Sequence, residues 1–258
     1  MELKLGGKRI LITGSSRGIG LAVAEAFLEE GARVVLTGRR QSALDQLQTA
    51  LTQSFGQSSI LALSCDFTDN PAIRNLKEQI IAAWGGLDIL ILNVGSGQSV
   101  ADPIPSLENF ERVFQVNFDS VINTTREFYP LVKESRGSIL LMASIAGVEA
   151  TGAPVDYAVA KSAVLAFGKN LARKAAADGI RVNCIAPGNV YFEGGSWAEK
   201  IKADPERVKT FIETTVPMRR FGRPEEIAAA VLFLASERSS FTTGTCLIID
   251  GGQTANIC

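Results

Sequence analysis

The chain has 258 residues, 46% hydrophobic and 21% charged, with a formal net charge of −1, which is ordinary globular composition for one large α/β domain or two small ones. No run of like charges offers a footprint for nucleic acid or an anionic membrane, and the absence of histidine excludes any histidine base and leaves no metal site expected. Cys65, Cys184, Cys246 and Cys258 form no CxxC pair, the N-terminus MELKLGGKR lacks the apolar segment of a secretory signal, and the longest apolar runs, such as 227–235, are too short to span a bilayer, so a reduced, cytoplasmic setting is expected.

Apolar, β-branched-rich runs recur at 8–13, 33–37, 59–64, 87–93, 138–143, 180–186 and 245–250. Between them lie helix-like segments near 19–30, 41–54, 71–84, 107–133, 157–178, 197–214 and 224–235. The strand runs are continuously apolar, as strands covered on both faces must be. The pattern predicts a doubly wound α/β fold of Rossmann type, a seven-stranded parallel sheet with helices on both faces. No composition break or repeat divides residues 1–258, so a single domain is expected. Its one irregular region is 187–223, where a stretch at about 189–217 reads either as a substrate lid at the sheet's carboxyl edge or as a surface excursion.

The first strand runs into Thr13-Gly14-Ser15-Ser16-Arg17-Gly18-Ile19-Gly20 and then a helix pattern. Glycines in such a turn let backbone approach a pyrophosphate at a helix N-terminus. A tight turn without ligand is the weaker reading, because the glycines sit between the first strand and first helix of a βαβ unit. At the end of the second strand, Leu36-Thr37-Gly38-Arg39-Arg40 lacks the carboxylate that would take a ribose 2′-hydroxyl. Arg39, with Arg17, could instead fork around a 2′-phosphate, which favours NADP(H), whereas Arg40 reads as a solvated residue starting a helix.

Ser144 ends the run SILLMA, and Tyr157 and Lys161 follow on a helical pattern, four apart and therefore on one face. Taken alone, such a pair is better read as solvated than as catalytic. Beside a cofactor it has a chemical use, since a phenol with a reference pKa of about 10 needs a neighbouring cation to work as an acid–base group near neutrality.

Together these motifs resemble the short-chain dehydrogenase/reductase family over practically the whole chain. The family's Thr-Gly-x3-Gly-x-Gly is matched by Thr13, Gly14, Gly18 and Gly20, and its Asn-Ser-Tyr-Lys set by Asn117, Ser144, Tyr157 and Lys161. Asp66, in CDFTD, matches the acid that touches adenine, and Asn93 matches the start of the motif after the fourth strand. FGRPEEIAAAVLFLAS and TTGTCLIIDGG most resemble the 3-oxoacyl-thioester reductase and glucose dehydrogenase branches. The resemblance implies that Tyr157 exchanges a proton with the substrate oxygen and that Ser144 holds that oxygen. Lys161 would bind the nicotinamide ribose and favour the phenolate, and Asn117 would hold a relay water. NADP(H) would lie along Gly14, Ser16, Arg17, Gly18, Ile19, Gly20, Arg39, Asp66, Phe67, Asn93, Gly95, Tyr157, Lys161, Pro187, Gly188 and Val190.

Two positions depart from the family pattern. Where the family commonly has Asn-Asn-Ala-Gly this chain has Leu92-Asn93-Val94-Gly95, with the larger valine beside the cofactor, and Phe192 stands where a threonine often contacts the carboxamide. The aromatics of 191–197 either line a substrate pocket or pack the lid onto the body. The expected activity is NADP(H)-dependent interconversion of a ketone and a secondary alcohol on a small molecule. The alternative is a catalytically silent NADP-binding regulatory or assembly protein. A homo-oligomer, tetramer or dimer, joined through 107–133, 157–178 and the C-terminal segment, is implied by the resemblance.

Overall fold

The computed structural model describes residues 2–100 and 102–255. Its seven strands are β1 (Arg9–Ile12), β2 (Arg33–Gly38), β3 (Ile60–Ser64), β4 (Ile89–Leu92), β5 (Ser138–Met142), β6 (Arg181–Pro187) and β7 (Cys246–Ile249), each inside or overlapping its sequence-predicted run. All pair in parallel in the order β3-β2-β1-β4-β5-β6-β7. This is a Rossmann-type sheet with helices on both faces. Strand order reverses between β1 and β4, so a crevice opens beyond their carboxyl ends.

The continuous apolar runs are explained by two cores. Successive strand side chains point to opposite faces, and Ile10, Ile12, Val34, Leu36, Ile89 and Ile91 enter one core while Leu11, Val35, Leu90, Leu92, Ile139 and Leu141 enter the other. Helices α1 (Gly18–Glu29), α2 (Gln41–Phe55) and α9 (Pro224–Ala235) supply the first core, with Phe27, Leu44 and Val231. Helices α3 (Asn70–Trp84), α5 (Ser120–Ser135) and α6 (Val155–Ala175) supply the second, with Ile73, Phe128 and Val164.

Two helical segments differ from expectation. The stretch 107–133 consists of α4 (Leu107–Phe114), a wider π turn at Gln115–Asp119 and then α5. The stretch 197–214 is broken into α7 (Ser196–Ala203) and α8 (Pro205–Thr215). Pro205 forces the break by disfavouring helical backbone at the preceding residue. Asp204 is accordingly extended, and its carboxylate accepts the Arg207 backbone N–H as the cap of α8. With Val208, Ile212 and Val216 buried against Trp197 and Phe221, this segment has a small core of its own. The C-terminal residues 256–258, considered above for an interface, lie outside the described residues.

Candidate active site

The glycine loop joins β1 to α1, and its path is fixed by hydroxyls. Thr37 at the end of β2 donates to the Ile12 carbonyl at 2.7 Å and accepts the Gly14 N–H at 2.9 Å. The buried Ser15 hydroxyl donates to Ile12 and accepts the Thr37 N–H. On the other side, the Thr13 hydroxyl accepts the N–H groups of Asn93 and Val94, and the Asn93 amide donates to the carbonyls of Thr13 and Gly14. Asn93 therefore spends its donors tying the two loops together across the crevice.

Gly14 and Gly18 take φ of +67° and +59°, and a Cβ on Gly20 would stand 2.4 Å from the Gly14 carbonyl oxygen. No side chain caps the start of α1, so its first N–H groups face outward at the positive end of the helix. Ser16 lies against Gly38, at the end of β2. Arg39 is exposed, and it acts electrostatically on Asp66. The Asp66 carboxyl is held below its ordinary range, first by the Thr68 hydroxyl and then by the Thr68 N–H, with Arg39 assisting. Glycines at 14, 18 and 20, a helix N-terminus and an exposed guanidinium beside an acid together fit the phosphates and adenosine of a dinucleotide. Phe67 and Val190 are core residues, with their side chains in the second and first clusters respectively.

The Arg17 guanidinium donates to the Gly194 carbonyl at 2.6 Å, in the irregular 187–223 segment. That segment is held by a parallel bridge between Val190 and Gly222. Phe192 lies over the loop: a Cβ on Gly18 would be 2.7 Å from its ring. Val94 also abuts the loop, 3.1 Å from where a Cβ on Gly14 would be.

Ser144, Tyr157 and Lys161 come together at the carboxyl edge of β5 and the start of α6. Burial raises the Tyr157 phenol above its ordinary value, and the nearby Ser144 hydroxyl, which accepts the Ala146 N–H at 3.2 Å, offsets part of that rise. Lys161 is 3% exposed, donates to the Met142 carbonyl at 2.9 Å and lies 5.8 Å from the Tyr157 ring centroid. Burial pushes its ammonium down to about 8. A Cβ on Gly95 would meet the Lys161 ammonium and the Asn117 amide oxygen, each at 2.9 Å.

Asn117 falls in the π turn, a wide turn of a kind often found at functional sites. Its amide accepts the Ser96 N–H and donates to the Ser96 and Val113 carbonyls, so both amide hydrogens are spent on protein. At the end of β6, the Gly188 N–H donates to Ile249, against Asp250. Ser144, Tyr157, Gly188 and Asn189 open into a cavity of about 630 Å³ whose opposite wall is α7 and α8, with Trp197, Val208 and Phe211.

The family model described as enoyl-(acyl carrier protein) reductase matches residues 14–254. The chain belongs to the short-chain dehydrogenase/reductase family. A 3alpha-hydroxysteroid dehydrogenase of Mediterraneibacter gnavus is 33% identical over 97% of this chain and 98% of its own. A glucose 1-dehydrogenase of Gluconobacter oxydans is 36% identical over 97% and 93%. The structure of L-sorbose reductase from Gluconobacter frateurii, complexed with NADPH and L-sorbose, superposes with a TM-score of 0.93 at 31% identity over the whole of both chains. As a member of this family the chain is an oxidoreductase.

Sequence reasoning missed residues that build the site without resembling a motif. Asp156, 0% exposed, accepts the Tyr157 N–H at 2.7 Å and the Ser99 hydroxyl at 2.5 Å, clasping the loop after β4 to the first turn of α6. Asp156 directly precedes Tyr157 in the sequence, but only the fold shows that it points inward. Thr37 and Ser15 were equally silent, because a hydroxyl at a strand end has no spacing rule to reveal its partner.

Proposed function

We propose that this protein interconverts a ketone and a secondary alcohol with NADP(H), the reductive direction being favoured, and that Tyr157 is the acid–base group. The observation that supports this most is that Ser144 and Tyr157 line one cavity large enough for a small organic substrate, with Lys161 buried beside the Tyr157 ring. NADPH, when bound, supplies the hydride to the carbonyl carbon. Tyr157 gives its phenolic proton to the carbonyl oxygen, and the Ser144 hydroxyl, in the lining of the same cavity, holds that oxygen in place. Lys161 supplies the ammonium that favours phenolate after transfer. Since both Asn117 amide hydrogens are occupied, a relay water would have to be held by an Asn117 oxygen.

The glycine loop from Gly14 to Gly20 would hold the pyrophosphate, Asp66 and Phe67 would flank the adenine, and Arg39 would take the 2′-phosphate. Gly95, Pro187, Gly188 and Val190 would line the nicotinamide end. NADPH in the L-sorbose reductase complex supports the choice of cofactor. Residues 1–258 would act as a single domain, with 189–217 as lid. Cytoplasmic location and assembly as a tetramer or dimer complete the reading. A silent NADP-binding regulator would require the phosphate loop but no buried lysine beside a serine and a tyrosine that line one cavity, so that alternative is not favoured.

The test is consumption of NADPH by the pure protein with a panel of ketones, keto-sugars and 3-oxoacyl thioesters. Turnover of any of them establishes the reaction. Silence across the panel with NADPH still bound would favour the regulator.

A further inference from the structure

The wall of the cavity opposite Tyr157 carries an excess of positive charge. The charged residues that line the cavity are Lys200 on α7, Arg207 on α8, and Asp204 between the two helices. Asp204 is committed to the helix: its carboxylate caps α8 through the Arg207 N–H at 3.0 Å, where the positive end of the helix offsets its charge. No ion pair joins Asp204 to Lys200 or Arg207. The Arg207 guanidinium has no hydrogen-bond or ion-pair partner among the described residues. The Lys200 ammonium lies 4.3 Å from the centroid of the Trp197 ring, itself a lining residue, so its charge is held at the cavity wall. The same lining contributes the apolar side chains of Ile145, Ala153, Pro154, Val208 and Phe211 together with the polar ones of Thr151, Asn189, Ser196 and Gln253.

We propose that Lys200 and Arg207 form an anion subsite and that the substrate is a ketone bearing a carboxylate or phosphate at the end remote from its carbonyl, across a short apolar spacer. This rests on the ketone-reductase reading of the same cavity. A planar guanidinium pairs with either anion through two parallel hydrogen bonds, and Val208 and Phe211, on the same helix as Arg207 and in the same lining, give a hydrocarbon spacer a surface to pack on. Trp197 holds Lys200 in place and gives the spacer an aromatic surface.

The experiment has a binding arm and a turnover arm. In the first, NADPH-loaded protein is titrated calorimetrically with butanoate through octanoate, with the matching primary amides, and with the matching alkyl phosphates. At least one anion series should bind about tenfold or more tightly than the amides, equivalent to about 1.4 kcal/mol. Whichever series does so distinguishes carboxylate from phosphate. Arg207→Gln and Lys200→Gln should each remove most of that preference, while Lys209→Gln, an exposed change on α8 outside the cavity lining, should keep it. Equal binding of anions and amides, or a preference that survives both cavity substitutions, overturns the anion subsite. In the second arm, keto-acids with the oxo group on the penultimate carbon and their methyl esters are compared as substrates, and the acid should have the higher kcat/KM. Anion binding with no turnover of any ketone leaves the subsite standing and defeats the reductase reading. Turnover of acids and esters with equal kcat/KM defeats the subsite and leaves the reductase reading standing.

Discussion

Lys161 is anchored through its ammonium to the Met142 carbonyl at 2.9 Å, on the floor of the site beneath Tyr157. Burial at 3% exposure lowers its pKa from 10.5 to about 8. Below about pH 8 the lysine is charged in both folded and unfolded chains, and the full cost of burying an ammonium is present. Between about 8 and 10.5 the folded chain releases this proton first, the unfolded chain binds more protons, and stability rises with pH. Measured against Lys161→Met in denaturant titrations at pH 7 and near 10.5, the wild type should gain about 3 kcal/mol relative to the variant across the window. A constant difference between the two proteins would show that Lys161 is not desolvated as described. The substitution also strands the Met142 carbonyl, but that cost does not vary with pH.

Tyr157→Phe removes the proton donor while preserving the ring. Its turnover of any ketone should fall about 100- to 10,000-fold, the span usual for a general acid–base group. NADPH binding, followed by fluorescence, should persist. Ser144→Ala should reduce kcat less, since it positions the oxygen and supplies no proton. Near-normal turnover by Tyr157→Phe would remove the acid–base role.

Arg39 is exposed at the end of β2 and acts on Asp66, whereas Arg17 is engaged by Gly194. The 2′-phosphate therefore depends on Arg39 more than on a fork of two arginines. Arg39→Ala should weaken NADPH by about tenfold or more, as expected for a charge-assisted contact, and leave NADH nearly unchanged. Equal weakening of both nucleotides would place the 2′-phosphate elsewhere.

The sheet was legible because strands buried on both faces must be apolar at every position, and the seven runs have few competing readings. Ser144, Tyr157 and Lys161 were legible because a strand end and a helix turn could place them together and the glycine loop supplied a cofactor for them to act beside. The break at Asp204 was marked by Pro205, yet apolar spacing across 197–214 concealed it. The partners of Arg17, Asn93, Asn117 and Asp156 were not legible. Each bridges segments far apart in sequence, or, for Asp156, turns inward where position alone suggests solvent. The pull of Gly194 on Arg17 could be found only once the irregular segment had been placed over the loop.

Phe192 occupies the face of the glycine loop that the proposed pyrophosphate would approach. A Cβ on Gly18 would stand 2.7 Å from its ring, and Gly195 packs against the same ring from within the segment. Arg17 reinforces the arrangement by bonding Gly194. A dinucleotide settling on the N-terminus of α1 must therefore displace the ring or shift it along the loop, at the cost of its apolar contacts. Phe192→Thr removes the ring and restores the residue type common at this position in the family, with a hydroxyl able to reach a polar ligand group. It should tighten NADPH several-fold in calorimetric titration, and the gain should appear chiefly in the association rate, because the loop no longer needs uncovering. Unchanged affinity and rate would mean that the ring leaves room for the pyrophosphate where it stands. Weaker binding would mean that the ring packs on the bound nucleotide and contributes to holding it.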